Sequence, residues 1–120
     1  DLLLYCEGYL TKRGNGFKTW KRRYFRLDPE RQCLDYFTAE DEARAKLKGS
    51  VAYAGGTVVI DDASECHRFL LRAPGRDLHM QADNRDDMLM WAKALRLAVA
   101  DAATKGKASA TAKGTSTGEA

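Results

Sequence analysis

Apolar and polar residues alternate along the first two thirds of the chain, which is typical of β-strands that place one face on a core. The alternation predicts seven short strands, at 7–12, 20–27, 33–38, 47–53, 57–61, 67–73 and 77–82. Turn-forming residues separate several of them, as at Gly14-Asn15-Gly16, Gly55-Gly56 and Pro74-Gly75. The charged, alanine-rich residues 39–46 are expected to form a loop or one helical turn.

The period of the pattern changes near residue 84. From there, apolar residues recur at steps of three and four: Met88, Trp91, Ala92, Leu95, Val99 and Ala102. This stripe predicts one amphipathic helix from Asn84 to about Ala102, capped at its start by Asp83 or Asn84. The sequence therefore predicts a mainly β fold with one C-terminal helix, in which the helix plugs the open corner of a seven-stranded, curved antiparallel sheet.

A chain of 120 residues has room for one domain with a single core. We expect a lead-in at 1–5, the domain at 6–103, and a flexible, low-complexity tail at 104–120, where Ala, Gly, Ser, Thr and Lys follow no period. Because the sequence opens on Asp rather than Met, we expect it to be a piece of a larger protein.

Several classes of protein are excluded by what the sequence lacks. No apolar run approaches the roughly 18 residues of a membrane span. The three cysteines form no C-x-x-C pair, which favours neutral thiols in a reducing cytoplasm. Neither His67 nor His79 stands at a metal-ligand spacing from a cysteine, and no nucleophile, base and acid are grouped, so we expect no metal, no cofactor and no enzyme.

Basic residues are concentrated in one segment of the chain. Between residues 12 and 26 there are seven of them and no acidic residue: Lys12, Arg13, Lys18, Lys21, Arg22, Arg23 and Arg26. The whole chain carries a formal charge of +3, so the remainder is net negative. A segment of one sign attracts polyanions such as phosphates, nucleic acid or an acidic membrane leaflet.

Alternate residues of a β-strand lie on the same face, and this places several of the basic residues together. On a strand at 20–27, Lys21 and Arg23 share a face with the apolar Phe25, and on the first strand Lys12 continues an apolar face. The two strands therefore aim these three cations toward one mouth of the sheet, while Lys18, in the loop between them, can fold over a ligand. A solvated basic face is the alternative interpretation of the same charges. A cup of lysine and arginine donors suits a phosphorylated ring.

Six short segments of the chain follow one another in a characteristic order. The front segments are Glu-Gly-Tyr-Leu-Thr-Lys at 7–12, Lys-Thr-Trp-Lys-Arg-Arg-Tyr-Phe-Arg-Leu at 18–27 and Leu-Asp-Tyr-Phe at 34–37. Behind them come Lys-Gly-Ser-Val at 48–51, Met-Gln-Ala-Asp at 80–83 and Trp91 in the final helix. In this combination and order they resemble the pleckstrin-homology (PH) domain family, whose fold is a bent, seven-stranded antiparallel sheet capped by a helix.

The resemblance implies a phosphoinositide-binding module and a set of binding residues. Matched to the family pattern, the headgroup-binding residues are Lys12, Lys21, Arg23, Tyr36 and Lys48, in addition to Lys18 of the loop. The set looks most like the cytohesin and tandem PH adaptor type, which prefers inositol lipids phosphorylated at the 3-position. The hairpin near Arg76 has no clear match to the additional headgroup-binding residues of some members.

These patterns leave three functions to compare. The first is a lipid-headgroup receptor, cytoplasmic and recruited peripherally to membranes, monomeric, with Phe17 either inserting into the membrane interface or packing under the loop. The second is a protein-interaction module on the same scaffold, with weak or no lipid binding. Nucleic-acid binding comes third, because one basic patch beside Trp20 and Tyr24 is weak evidence without a recognised module.

Overall fold

The computed structural model of the chain describes residues 6–14, 19–38, 46–61, 63 and 65–118, with side chains as far as residue 105. Within these ranges the chain forms seven strands and one helix, as predicted. The strands are β1 (Cys6–Arg13), β2 (Trp20–Asp28), β3 (Cys33–Phe37), β4 (Leu47–Ala52), β5 (Thr57–Ile60), β6 (Arg68–Ala73) and β7 (Arg76–Gln81), and the helix is α1 (Arg85–Gly118).

All seven strands belong to one antiparallel sheet, in the order β4-β3-β2-β1-β7-β6-β5. β1 lies in the middle and pairs with β2 along its whole length and with β7 at Thr11↔Gln81 and Lys12↔Met80. The consecutive strands β4 and β5 stand at opposite ends of this order. The sheet therefore consists of two meanders, β1–β4 and β5–β7, which β1 and β7 join.

One face of the sheet, called here the core face, carries the alternate apolar side chains of each strand. Its buried residues include Leu10, Phe25, Leu27, Leu34, Leu71, Leu78 and Met80. The buried stripe of α1 packs on this face, and the Trp91 ring meets the Phe25 ring edge to face, with the centroids 6.4 Å apart. The opposite face of the sheet is called the outer face.

The start of α1 is fixed by a side-chain cap. The backbone amide of Asp87 donates a hydrogen bond of 2.8 Å to Asn84 Oδ1, and the amide of Met88 donates one of 3.1 Å to the Asn84 carbonyl. Asn84 is therefore the N-cap, and Asp83, the other candidate, instead accepts hydrogen bonds from Arg22. Asp87 in the first turn also suits the positive end of the helix dipole.

The helix continues to Gly118, well past the predicted end near Ala102. The prediction stopped where the apolar stripe stopped, because periodicity reports the face that packs on the sheet. The sequence beyond it lacks a stripe and mixes alanines at 103, 108, 110 and 112, which favour a helix, with glycines at 106, 114 and 118, which do not. The end of the helix was thus predicted too early, while the flexibility of 104–120 stays a prediction.

The helix also covers the β5 end of the sheet. Arg96 of α1 donates a hydrogen bond of 3.0 Å from Nη2 to the carbonyl of Val58 in β5. The tight turn before β5 uses Gly55, whose φ of 80° favours glycine. The turn and the arginine together fix β5 against the helix.

Trp91→Ala is expected to lower the free energy of unfolding by about 3–5 kcal/mol, because it leaves a large cavity between the helix and Phe25. Leu97→Ala, on the exposed side of the same helix, is the matched control and should change stability by less than about 0.5 kcal/mol. Chemical denaturation followed by circular dichroism measures both. Equal effects of the two changes would contradict the packing described here.

Candidate functional site

Three predicted cations lie at one end of the core face. The register pairs Lys12 with Lys21 and Leu10 with Arg23, so the three cations stand on the two adjacent strands and share the face of Leu10. Lys12 is only 9% exposed, Arg23 is half-buried and Lys21 is exposed. The side chains thus follow the strands from the core out to the connection between β1 and β2.

A fourth cation comes from β7. Arg76 alternates with the buried Leu78 and Met80, so it shares the core face, and Met80 pairs directly with Lys12. Arg76 is not among the binding residues that the sequence predicts. Its alternation with Leu78 and Met80 could have assigned its face, but only the pairing of β7 with β1 brings it near Lys12. Lys12, Lys21, Arg23 and Arg76 are called the cationic mouth below.

The pKa of Lys12 is lowered by its burial and by the neighbouring positive charges. Burial of the amine lowers it from the usual lysine value, and the positive charges of Arg76, Arg23 and Lys21 lower it further. The three other members of the cationic mouth therefore all act on Lys12. A buried amine among like charges is typical of a functional site. Its burial and the repulsion by its neighbours destabilise the fold, and a bound anion would offset this cost.

Two arginines that contact residues of the outer face have carboxylate partners, in contrast to the cationic mouth. Arg22 donates two hydrogen bonds, of 2.9 and 3.2 Å, to Asp83, and Arg31 donates one of 2.7 Å to the buried Asp35. Among the described residues, no side chain of the cationic mouth forms an ion pair with a carboxylate. Within the part of the chain that the structure describes, the cationic mouth is therefore without counter-charges.

Arg76 has a further unsatisfied group. Its Nε is buried and has no hydrogen-bond partner within the part of the chain that the structure describes. A buried donor without an acceptor costs about 1–3 kcal/mol. A phosphate oxygen bound in the cationic mouth is a suitable acceptor for it.

Tyr36 lies beneath two of these cations. It is 6% exposed on the core face of β3, with Lys12 Nζ 4.8 Å and Arg76 Cζ 5.6 Å from the ring centroid. Lys48 is positioned differently. It is the extra residue of an irregularity in the pairing of β3 with β4, it is exposed, and its charge is not among those that act on Lys12. Its role in binding stays a prediction.

Two predicted residues, Phe17 and Lys18, lie outside the described residues. The base of their loop is described: the amide of Gly14 donates a hydrogen bond of 2.8 Å to the carbonyl of Thr19. This bond ties together the ends of β1 and β2 just beyond the Lys12–Lys21 pair. The loop that carries Phe17 and Lys18 therefore starts from the rim of the cationic mouth.

A second concavity, of about 260 Å³, lies on the outer face. Arg13, Trp20, Arg68 and His79 line it together with the carboxylate of Asp61, and Arg68 lies 4.4 Å from the Trp20 ring centroid. The ring that suggested nucleic-acid stacking is thus covered by an arginine. Burial lowers the pKa of His79, and the charge of Arg13 lowers it further, which keeps this imidazole neutral near pH 7.

The described ranges contain no group of three or more histidine, cysteine or acidic side chains placed to hold a metal ion. No helix in them has an apolar stretch long enough to cross a bilayer. Burial raises the pKa of the Cys6 thiol to about 11, so this thiol is protonated at neutral pH.

Comparison with known proteins identifies similar chains. The PH domain family model matches residues 4–100. Human oxysterol-binding protein-related protein 9 is 33% identical over 90 residues, which are 74% of this chain and 12% of that protein, so the chain spans a small part of the length of this curated relative.

Two solved structures are similar along most of their length. The PH domain of human oxysterol-binding protein-related protein 11 has a TM-score of 0.70 at 26% identity and covers 79% of each chain. The C-terminal PH domain of pleckstrin in complex with D-myo-Ins(1,2,3,4,5)P5 has a TM-score of 0.66 at 27% identity, over 78% of this chain and 95% of that one.

Arg76→Gln is expected to raise the pKa of Lys12 toward the usual lysine value, because Arg76 is the nearby charge that most disfavours the protonated amine. An NMR titration of the Lys12 side-chain carbons measures this pKa. Arg72→Gln is the matched control, since Arg72 is exposed on the outer face of the neighbouring strand. A Lys12 pKa that responds equally to both changes would contradict the arrangement of the cationic mouth.

Proposed function

The chain belongs to the PH domain family, and from this premise we propose that it is a non-catalytic module that binds the phosphorylated inositol headgroup of a membrane lipid. The cationic mouth holds the headgroup phosphates. The module brings the protein that contains it to an anionic membrane surface, where it stays peripheral.

The observation that carries the proposal is a cluster of like charges that has no counter-charge within the described ranges. Lys12, Lys21, Arg23 and Arg76 converge on one end of the core face, and none has a carboxylate partner among the described residues. Such repulsion serves no purpose in the unliganded fold. A ligand with several phosphates replaces it with charge-assisted hydrogen bonds, which are about twice as strong as neutral ones.

Non-specific attraction to an acidic membrane is too weak to explain stable recruitment. Each Lys or Arg near an anionic leaflet contributes about 1 kcal/mol, so four of them give about 4 kcal/mol, which corresponds to roughly millimolar affinity. Micromolar affinity requires about 8 kcal/mol. Direct phosphate contacts in the cationic mouth supply the difference, and they make binding depend on the headgroup rather than on surface charge alone.

The solved relative with a ligand supports the chemistry of the proposal. The C-terminal PH domain of pleckstrin was solved with an inositol pentakisphosphate. Four convergent cations are suited to the same class of ligand, a ring that carries several phosphates. The preference for 3-phosphorylated lipids stays a prediction, as does a separate protein partner.

Arg23→Ala is expected to weaken binding to vesicles that contain a phosphatidylinositol phosphate by roughly 10–100-fold, because it removes charge-assisted hydrogen bonds to phosphate. Vesicle sedimentation measures this affinity, with phosphatidylserine vesicles of equal charge for comparison. Arg22→Ala is the matched control. Arg22 has the same charge on the next residue of β2, but it points to the outer face and pairs with Asp83.

The two variants separate the explanations. If Arg23→Ala loses affinity for vesicles that contain a phosphatidylinositol phosphate and Arg22→Ala retains it, the result supports a headgroup site in the cationic mouth. Equal, small losses with both variants, and equal binding to both kinds of vesicle, would leave only general electrostatic attraction and overturn the proposal. Undiminished binding of a protein partner by Arg23→Ala would then favour the protein-interaction function.

Lys12→Met is expected to raise the free energy of unfolding by about 0.5–1 kcal/mol while it abolishes headgroup binding. The folded state lowers the pKa of Lys12, so it holds the amine's proton less tightly than the unfolded chain does, and the charge opposes folding at neutral pH. Replacing the amine with an apolar side chain of similar length removes this cost. Thermal unfolding and vesicle sedimentation on the same sample measure the two effects, and a destabilised variant would contradict the prediction.

A further inference from the structure

Tyr36 is placed to contact cations from strands that are not its neighbours. Its strand, β3, pairs with β2 and β4, whereas Lys12 belongs to β1 and Arg76 to β7. The ring nevertheless lies 4.8 Å from Lys12 Nζ and 5.6 Å from Arg76 Cζ, measured to its centroid. One aromatic ring therefore contacts two members of the cationic mouth, at distances typical of cation–π interactions.

The hydroxyl end of Tyr36 lies over a glycine. Tyr36 pairs directly with Gly49 of β4, and a Cβ atom built on Gly49 would lie 2.8 Å from Tyr36 Cε1 and closer still to Cζ and the hydroxyl oxygen. Gly49 does not have a positive φ, so its backbone conformation is open to any residue. What this position requires is the absence of a side chain, because the tyrosine ring fills that space.

The other side of the ring is fixed by the core. Phe25 contacts Tyr36 with the ring centroids 5.4 Å apart, and Tyr36 is 6% exposed. Phe25 and Gly49 therefore confine the ring between the neighbouring strands β2 and β4. Its π-face is then a fixed site of negative potential for the two cations.

We propose that Tyr36 is a positioning residue that acts through its ring, by holding Lys12 and Arg76 together against their repulsion, and that Gly49 serves the site by leaving room for that ring. The inference rests on the proposed headgroup function and deepens it. The family resemblance implies instead that the tyrosine contacts phosphate, which requires its hydroxyl. The two roles make opposite predictions for Tyr36→Phe.

Binding of inositol hexakisphosphate, measured by calorimetry, tests the proposal. Tyr36→Phe should stay within about twofold of the wild-type affinity, because phenylalanine also binds cations through its face. Tyr36→Leu should weaken binding by about tenfold, because two cation–π contacts are lost and both side chains must be ordered on binding. Gly49→Ala should resemble Tyr36→Leu, whereas Gly75→Ala is the control, since a Cβ built there has no atom within 4 Å.

A spectroscopic measurement separates positioning from a purely structural role. The aromatic ring should shift the NMR signals of the Lys12 side-chain protons upfield in the free protein. The shift should persist in Tyr36→Phe and disappear in Tyr36→Leu and Gly49→Ala. Urea unfolding of each variant identifies those that fold, and Tyr36→Phe keeps the test decisive where Tyr36→Leu or Gly49→Ala does not fold.

The outcomes are distinguishable. Retained affinity and retained ring shift in Tyr36→Phe support the proposal, and a loss of tenfold or more in that variant, with the fold intact, assigns the effect to the hydroxyl and overturns it. An unshifted Lys12 signal in the wild-type protein also overturns it. If the wild-type protein shows the shift but does not bind inositol hexakisphosphate, the headgroup function fails while the positioning of Lys12 by Tyr36 stands.

Discussion

The antiparallel pairing of β1 with β2 is the interaction on which the site depends. Its register sets Lys12 opposite Lys21 and Leu10 opposite Arg23, so that cations and apolar core residues share one face. A shift of one residue in either strand would turn that strand's cations to the outer face and its polar outer residues into the core. The hydrophobic core thus fixes the position of the charges, because the same alternation that buries Phe25 directs Arg23.

Ion pairs are distributed unequally between the two faces of the sheet. On the outer face, Asp83 pairs with Arg22 and Asp35 pairs with Arg31, and these ion pairs connect neighbouring elements. Among the described residues, the core-face cations contact one another, the Tyr36 ring and, for Arg23, the backbone carbonyl of Arg22, but no carboxylate. Within the described ranges, the positions of the carboxylates thus leave the cationic mouth without an ion pair. The distribution of charge matters more for function here than the net charge of +3.

Sequence reasoning was most reliable where a property is local. Alternation predicted all seven strands within one or two residues of their ends, and it assigned Lys12, Lys21 and Arg23 to one face. It did not find Arg76, because the proximity of Arg76 to Lys12 arises from pairing between the seventh strand and the first, which no local pattern encodes. The position of Lys48 could not be inferred from local alternation either. The pairing of β3 with β4 is irregular at this residue, so counting alternate residues along β4 does not say which face its side chain lies on.

The hydrogen bond from Arg96 to the Val58 carbonyl has a consequence for solubility. β5 is at one end of the sheet, and an end strand with unused backbone groups is a template for strand addition and aggregation. Arg96 of the helix donates a hydrogen bond to a backbone carbonyl of this end strand. The helix therefore covers part of β5, and loosening of its docking would expose the core and this end strand at the same time.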